Sequence, residues 1–299
     1  MALAFEQAWP LRQVNPVHEV LNRGAEWLEA QFNGGQRRHG VIAWLLAVVP
    51  IVAAVAAVSY LLHEINVAAA WAWNVTVLYF TMGFRRFSHS FTGIQQALRA
   101  GDLASARQHL SAWRGEPATE FNAAEIARVT IEQGLLASHR HVFGPIFWFI
   151  ALGPAGAMLY FSATTLAELW GLKREPESVE FGRFATQAFF WLDWVPSRLT
   201  AASFAVVGDF EDAVYCWRSQ ADAWNPQSHG IILSAGGGAL GVRLGDTLHQ
   251  YGTVEYRPEL GIGDEAEPDH MQQAVGLIWR TLVLVMFLIL LVSLAHALG

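Results

Sequence analysis

Cysteine is almost absent from this 299-residue chain: Cys216 stands alone. No disulfide can close within it, and no cysteine-based metal site can form. Lysine is as scarce, with Lys173 the single lysine among nineteen basic residues. Charge of either sign is thin, at 15% of residues, where soluble domains carry about 25%. The net charge of −7 offers no cationic footprint, which argues against nucleic acid as a partner. Repeats of fixed period and low-complexity tracts are missing. Residues 1–16 contain no apolar core of secretory-signal type.

What fills the space is apolar. Hydrophobic residues make up 53% of the chain, and thirteen are Trp, a residue that favours membrane–water interfaces. Residues 41–62 carry no charge, and residues 276–298 carry only Arg280. A bilayer core of about 30 Å needs about 20 such residues as a helix. A second span is expected near 67–84 after a turn at 63–66. A third covers 143–170, interrupted by Gly153-Pro154-Ala155-Gly156, and reads either as one bent span or as a re-entrant pair. A fourth, 188–208, is weaker because it holds Asp193, Pro196 and Arg198. The expected fold is an all-α polytopic helical membrane protein with about five transmembrane helices and two cytoplasmic helical segments. Its parts are an amphipathic N-terminal segment (1–40), a transmembrane hairpin (41–84), a cytoplasmic helical segment (85–142), membrane helices with a Gly-Pro break (143–208), a cytoplasmic Gly-rich segment (209–275) and a C-terminal span (276–299).

Arginines gather in 1–40, 85–142 and 209–275, while the remaining connections hold only Lys173, Arg174 and Arg183. Basic residues stay on the cytoplasmic side. The expected setting is therefore a bacterial inner (plasma) membrane, multi-pass, with a cytoplasmic N-terminus and the lipid bilayer as a permanent partner.

Within 85–142 the sequence reads as a helical hairpin broken at Gly101-Asp102, with Asp102 as N-cap. A further helix starts near Asn122. Glu125, Arg128 and Glu132 lie at i, i+3 and i+7 and share one face, which His139 extends toward the membrane. That stripe is either a binding or catalytic constellation or a solvated face with one intrahelical ion pair. His139-Arg140-His141 does not favour a metal, because residues at i and i+2 of a helix do not face each other. These groups are instead expected at the lipid headgroups.

The order of motifs along the chain resembles the CobD/CbiB family of cobalamin-biosynthesis membrane proteins. It comprises Gly101-Asp102-Leu103, Ala106-Arg107, Glu125-Ile126, Ile131-Glu132, Pro145-Ile146-Phe147-Trp148, Gly153-Pro154-Ala155-Gly156-Ala157, Phe181-Gly182 and Pro196-Ser197-Arg198-Leu199-Thr200-Ala201. A C-terminal block follows, with Gly238-Ala239-Leu240-Gly241-Val242-Arg243-Leu244-Gly245, Tyr251-Gly252, Arg257-Pro258 and Leu260-Gly261. Leu192-Asp193-Trp194-Val195-Pro196 is also similar to AmpE, a membrane relative associated with β-lactamase regulation. The family resemblance implies joining of adenosylcobyric acid to aminopropanol or its phosphate, with ATP and magnesium activating the carboxylate. It further implies a corrinoid or another anionic small molecule as ligand. The AmpE likeness implies a catalytically degenerate sensor with a protein partner instead. Several acidic positions of the family pattern are filled otherwise here, by Ala167, by Phe189-Phe190 and by Ser138-His139-Arg140-His141-Val142.

The candidate catalytic residues are Glu125, Arg128, Glu132 and Arg198. Arg198 is expected in a pocket with Asp209, Glu211 and Asp212 or with an anionic ligand, unless it snorkels to the interface. Gly236, Gly238 and Gly241 formally satisfy G-x-G-x-x-G, with Arg243 as a phosphate partner, and are the candidate cofactor-binding residues. No strands are expected nearby, so a glycine-lined helix packing closely on its neighbours is the competing reading. Residues 261–269 read as a mobile loop.

Overall fold

The computed structural model describes residues 16–171, 173 and 176–298, the side chains of 84–86, 176–177 and 296–298 excepted. The segment before Pro16, read above as free of a signal core, lies outside the described residues. The chain divides into two compact units, one of 1–85 and 140–196 and the other of 86–139 and 197–299.

The first unit opens with α1 (Pro16–Phe32), whose Leu21, Ala25 and Glu29 are buried. Helix α2 (Arg37–Ile65) follows and contains Pro50. The turn expected over 63–66 shrinks to Asn66, because α2 continues through Ile65. The Asn66 side chain caps α3 (Val67–Thr81) by accepting from the amides of Ala68 and Ala69. A π-helical turn, His139–Phe143, leads into α7 (Gly144–Gly171). Gly153 sits at φ 66° and ψ −156°, a conformation open to glycine, and it breaks α7 into two helical halves next to Pro154. A Cβ on Gly156 would stand 2.2 Å from the Trp148 carbonyl and one on Gly144 2.3 Å from the Tyr160 ring, so the Gly-Pro break makes two short helices folded back on each other rather than one bent span. The core joins Ala43, Trp44, Ala47, Leu166, Trp170, Phe181 and Ala185. Gly182 lets the backbone of α8 (Pro176–Val207) touch the Trp170 carbonyl, where a Cβ would collide.

By length and composition three helical stretches among the described residues, Arg37–Ile65, Ala123–Gly171 and Pro268–Ala295, could cross a membrane; in the second the uncharged part is 141–167, beyond the π-helical turn's Arg140 and interrupted at Gly153. Their outer faces present Leu45, Leu46, Val49, Val283, Phe287 and Leu291. Such faces are at home in lipid, where a helix satisfies its own backbone. This is an all-α polytopic membrane protein. The expected five crossings find fewer full-length candidates. At 15 residues α3 reaches only about 22 Å at 1.5 Å per residue. Helix α8 is long enough, but its polar residues keep it below the apolarity of the other three.

The second unit begins with the expected hairpin, α4 (Phe84–Arg99) and α5 (Leu103–Arg114). Asp102 caps α5 by accepting from the Ser105 amide. Helix α6 (Ala123–Ser138) is buried along most of its length. After α8 come α9 (Phe210–Gln220), a 3-10 turn (Ala221–Ala223) and α10 (Gln227–Leu240). The next stretch adds short strands to this helical fold, where none were expected near the glycine run. Strand β1 (Leu244–Gly245) pairs antiparallel with β4 (Glu259–Leu260), and β2 (Leu248–Gln250) pairs with β3 (Thr253–Glu255). Two nested hairpins are therefore formed. Residues 261–264, read as the start of a mobile loop, are pinned instead. Gly261 exchanges two hydrogen bonds with the Gln220 amide at 2.7 and 3.0 Å, and Asp264 exchanges backbone bonds with Gly241 and Arg243. The chain ends in α11 (Pro268–Leu298), which packs on α6.

Candidate functional site

The site grows from the first turn of α6. Asn122-x-x-Glu125 forms a capping box. The Asn122 side chain accepts from the Glu125 amide at 2.8 Å, and Glu125 Oε2 accepts from the Asn122 amide at 2.7 Å. The other oxygen, Oε1, accepts from the His249 amide at 3.0 Å and lies 2.7 Å from His249 Nδ1. One turn on, Arg128 donates to Asp246 Oδ2 at 3.1 Å and to the Thr247 carbonyl. One turn further, Glu132 takes both guanidinium arms of Arg257, at 2.9 and 3.1 Å, and the Gly245 amide at 2.7 Å. Arg257 also donates to the carbonyls of Gly245 and Asp246 and stacks 5.3 Å from the Trp224 ring centroid.

The stripe thus reads along residues 245–249 in antiparallel order. Seven residues of helix advance about 10 Å, and successive turns meet successive positions of that segment. Asp246 sits at φ 61°, the left-handed region, where its own carboxylate can accept from the Thr247 amide at 2.6 Å. The stripe is a buried clamp, which corrects the solvated-face reading: Glu125, Arg128 and Glu132 are each about 5% exposed or less.

These bonds move two ionisation equilibria. Burial pushes the Glu125 carboxyl up, but hydrogen bonds from Asn122 and His249 outweigh it, and the net direction is below the ordinary 4.5. The Asp246 carboxyl is held below 3.8, chiefly by the Thr247 amide, against a raising effect of burial and with help from Arg128. Outside the clamp, burial pushes the Cys216 thiol up to about 11, with Asp212 adding to it, so it is an inert packing group.

The remaining expectations are distributed differently. His139 is buried in the π-helical turn with Nδ1 2.9 Å from Thr200 Oγ1, so it does not extend an exposed stripe to the headgroups. Arg140 pairs with Glu168 at 2.9 Å. Asp193, the acid nearest Arg198 in sequence, accepts from the Tyr160 hydroxyl at 2.8 Å. Arg198 is half-buried on α8, and Asp209 caps α9 by accepting from the Asp212 amide at 3.1 Å. Gly236 and Gly238 lie inside α10. A Cβ on Gly236 would stand 2.7 Å from Leu135, and one on Gly238 would stand 2.5 Å from the Asp212 carbonyl. They serve close packing of α10 on α6 and α9, with no βαβ unit around them. Gly241 ends α10 at φ 65° with open space where a Cβ would be, and Arg243 is exposed. Among the described residues no group of three His, Cys, Asp or Glu gathers as a metal site.

Sequence reasoning missed Asp246, His249 and the clamping role of Arg257. The one local signal was Asn122-x-x-Glu125, which announces a carboxylate bent back onto the helix start. The partners across the clamp are more than a hundred residues away in sequence, and no periodicity links them.

A family model described as CobD/Cbib protein matches residues 2–278. A cobalamin biosynthesis protein CobD from Stutzerimonas stutzeri (strain A1501) is 35% identical over 264 residues, covering 87% of this chain and 85% of that protein. One from Chromobacterium violaceum is 36% identical over 206 residues, covering 69% of this chain and 66% of that protein. One from Yersinia enterocolitica is 28% identical over 265 residues, covering 87% and 81%. No solved structure matches the chain.

Proposed function

The chain belongs to the CobD/CbiB family, and from that premise we propose that it acts in cobalamin biosynthesis, at the amide-forming step joining adenosylcobyric acid to aminopropanol or its phosphate. The observation that carries the reading is the breadth of the likeness. The match includes both the α6 stripe and the 238–261 block, and these two are the partners of the buried clamp. The setting is a bacterial inner membrane, crossed several times with the N-terminus in the cytoplasm. The arginine-rich segments 1–40, 85–142 and 209–275 support that orientation. The ligand is a corrinoid or another anionic small molecule.

Amide formation needs an activated carboxylate, which the family likeness assigns to ATP with magnesium. The described residues do not fit a resident magnesium ion. No three ligating side chains gather, and the carboxylates of Glu125 and Glu132 are already met by N–H donors. The glycine run does not fit a nucleotide cradle, since protein atoms stand where a phosphate would approach Gly236 and Gly238. ATP and magnesium enter this reading as substrates supplied to the reaction, not as groups held by these residues.

Complementation of a strain lacking the amide-forming step tests the proposal, with growth on adenosylcobyric acid as readout. Rescue is expected, and Arg198→Ala is expected to abolish it while the protein stays in the membrane. Failure of the natural chain at normal membrane levels would overturn the reading. One observation favours a second reading, a non-catalytic AmpE-like relative that binds a protein partner. Three of the candidate catalytic side chains are spent on holding the clamp. Co-purification of one defined partner, together with failed complementation, would select it.

A further inference from the structure

The clamp leaves one ionisable ring edge unspent. Glu125 is fixed from behind by the capping box, and its side chain is 5% exposed against 56% for His249. An ionised carboxylate only accepts, so the neutral imidazole carries its proton on Nδ1, 2.7 Å from Glu125 Oε1. The lone pair then lies on Nε2, at the far edge of the ring. Strand alternation produces this pose: Leu248 and Gln250 are buried, and His249 between them faces outward. Beside the ring runs a shallow cleft lined by Pro117, Thr119, Glu120, Gln250 and Tyr251. Glu120 is tethered there by the Gly252 amide, at 3.0 Å from one oxygen and 2.9 Å from the other, which leaves its remaining lone pairs to the surface. The titratable groups facing His249 are Glu125 behind it and Glu120 and Tyr251 in the cleft. Glu255 lies across the hairpin on the position opposite Leu248. Among the described residues, no arginine or lysine lines the cleft.

We propose that His249 Nε2 accepts the proton of a small primary-amine substrate, that Glu120 receives its ammonium charge, and that Glu125 is the positioning residue behind the base. The proposal rests on the amide-forming reading above and deepens it. An aliphatic amine is an ammonium ion at neutral pH and must lose a proton before its nitrogen can attack an acyl carbon. In the step, one N–H bond of the ammonium breaks, its electron pair stays on the amine nitrogen, and the proton forms a new bond to Nε2. The imidazolium is balanced by the Glu125 carboxylate and returns its proton to water.

The test uses the full chain in lipid vesicles, supplied with adenosylcobyric acid, 1-amino-2-propanol, ATP and magnesium. His249→Gln is expected to lower kcat about 100-fold or more, in the range of general-base catalysis, with little change in KM for the acid. His249→Ala is expected to recover part of its rate when imidazole is added. Glu125→Gln is expected to keep more activity and to move the acid limb of the pH profile to lower pH, because the imidazolium loses its counter-charge. A merely structural role of Glu125 would not move that limb. A kcat for His249→Gln within about threefold of the natural chain would overturn the proposal while leaving the amide reading in place. Should the natural chain form no amide, the amide reading fails and a second measurement decides His249. Its modification by diethylpyrocarbonate, followed by mass spectrometry, is expected to slow when 1-amino-2-propanol is present. Labelling that the amine leaves unchanged overturns the proposal.

Discussion

Helix α2 buries one face and helix α6 most of its length, and they do so by opposite chemistry. Helix α2 has no charge between 41 and 62 and packs Ala43, Trp44, Ala47 and Val48 against Leu166, Trp170 and Phe181. Helix α6 buries two glutamates and an arginine and meets backbone amides, carbonyls and an arginine fork. Apolar contact is non-directional: it rewards nearness and tolerates a small slide. A charged pair with fixed hydrogen bonds rewards one register only. A buried ion pair adds little net stability over an apolar pair of the same volume, but losing one partner is costly. The α6 clamp therefore fixes which strand residue stands at which helical turn, while the α2 core supplies cohesion.

The largest expected effect breaks the clamp from one side. Arg257→Ala leaves Glu132 buried and unpaired and should cost about 3–5 kcal/mol, read from thermal unfolding of detergent-solubilised protein. Arg257→Lys should restore part of that loss, since a single ammonium cannot reproduce two parallel bonds. A loss no larger than that of an exposed pair would show that the clamp is not a registering device.

Close packing sharpens the comparison next. Gly238→Ala in the second unit and Gly182→Ala in the first both press a Cβ onto a backbone carbonyl. Each should cost about 1–3 kcal/mol in the same unfolding assay. Similar losses would mark helix packing as the ingredient the two units share. Acid separates them again. The carboxyls of Glu125 and Asp246 are held below their ordinary 4.5 and 3.8, so their contribution is complete above those values and is lost as pH falls through the lowered ones. Hydrogen exchange of residues 245–257 should accelerate in that acid window, while residues 41–62 keep their protection. Equal acceleration in both would refute a clamp-specific origin. The smallest effect is expected at Arg23–Glu19, an exposed pair on α1. Arg23→Ala should change stability by less than about 1 kcal/mol.

The long apolar helices, the capped hairpin at Asp102 and the break at Gly153-Pro154 were legible because each is written in consecutive residues. The Glu125–Arg128–Glu132 stripe was legible as a face but not as an interior, since a charged face at helical spacing looks the same whether it meets water or a distant strand. Ile131 and Leu135 on the same helix hint at burial, but they do not say what lies opposite the charges. The glycines at 236–238 were visible as a run, with two readings open. Only the neighbours Leu135 and Asp212 show that the run seats helices. His249 carried no signal at all.

By itself the sequence determined a membrane-embedded helical chain and its family. Bilayer length, apolar runs and an ordered set of motifs are local properties that need no partner to be read. Tertiary structure alone decided that three charged residues face inward, that residues 244–260 form strands, and that a histidine stands with one nitrogen spent and one open. Those outcomes depend on donors and acceptors separated by more than a hundred residues in the chain, and a pairing of that kind exists only once folding has brought them within hydrogen-bond reach.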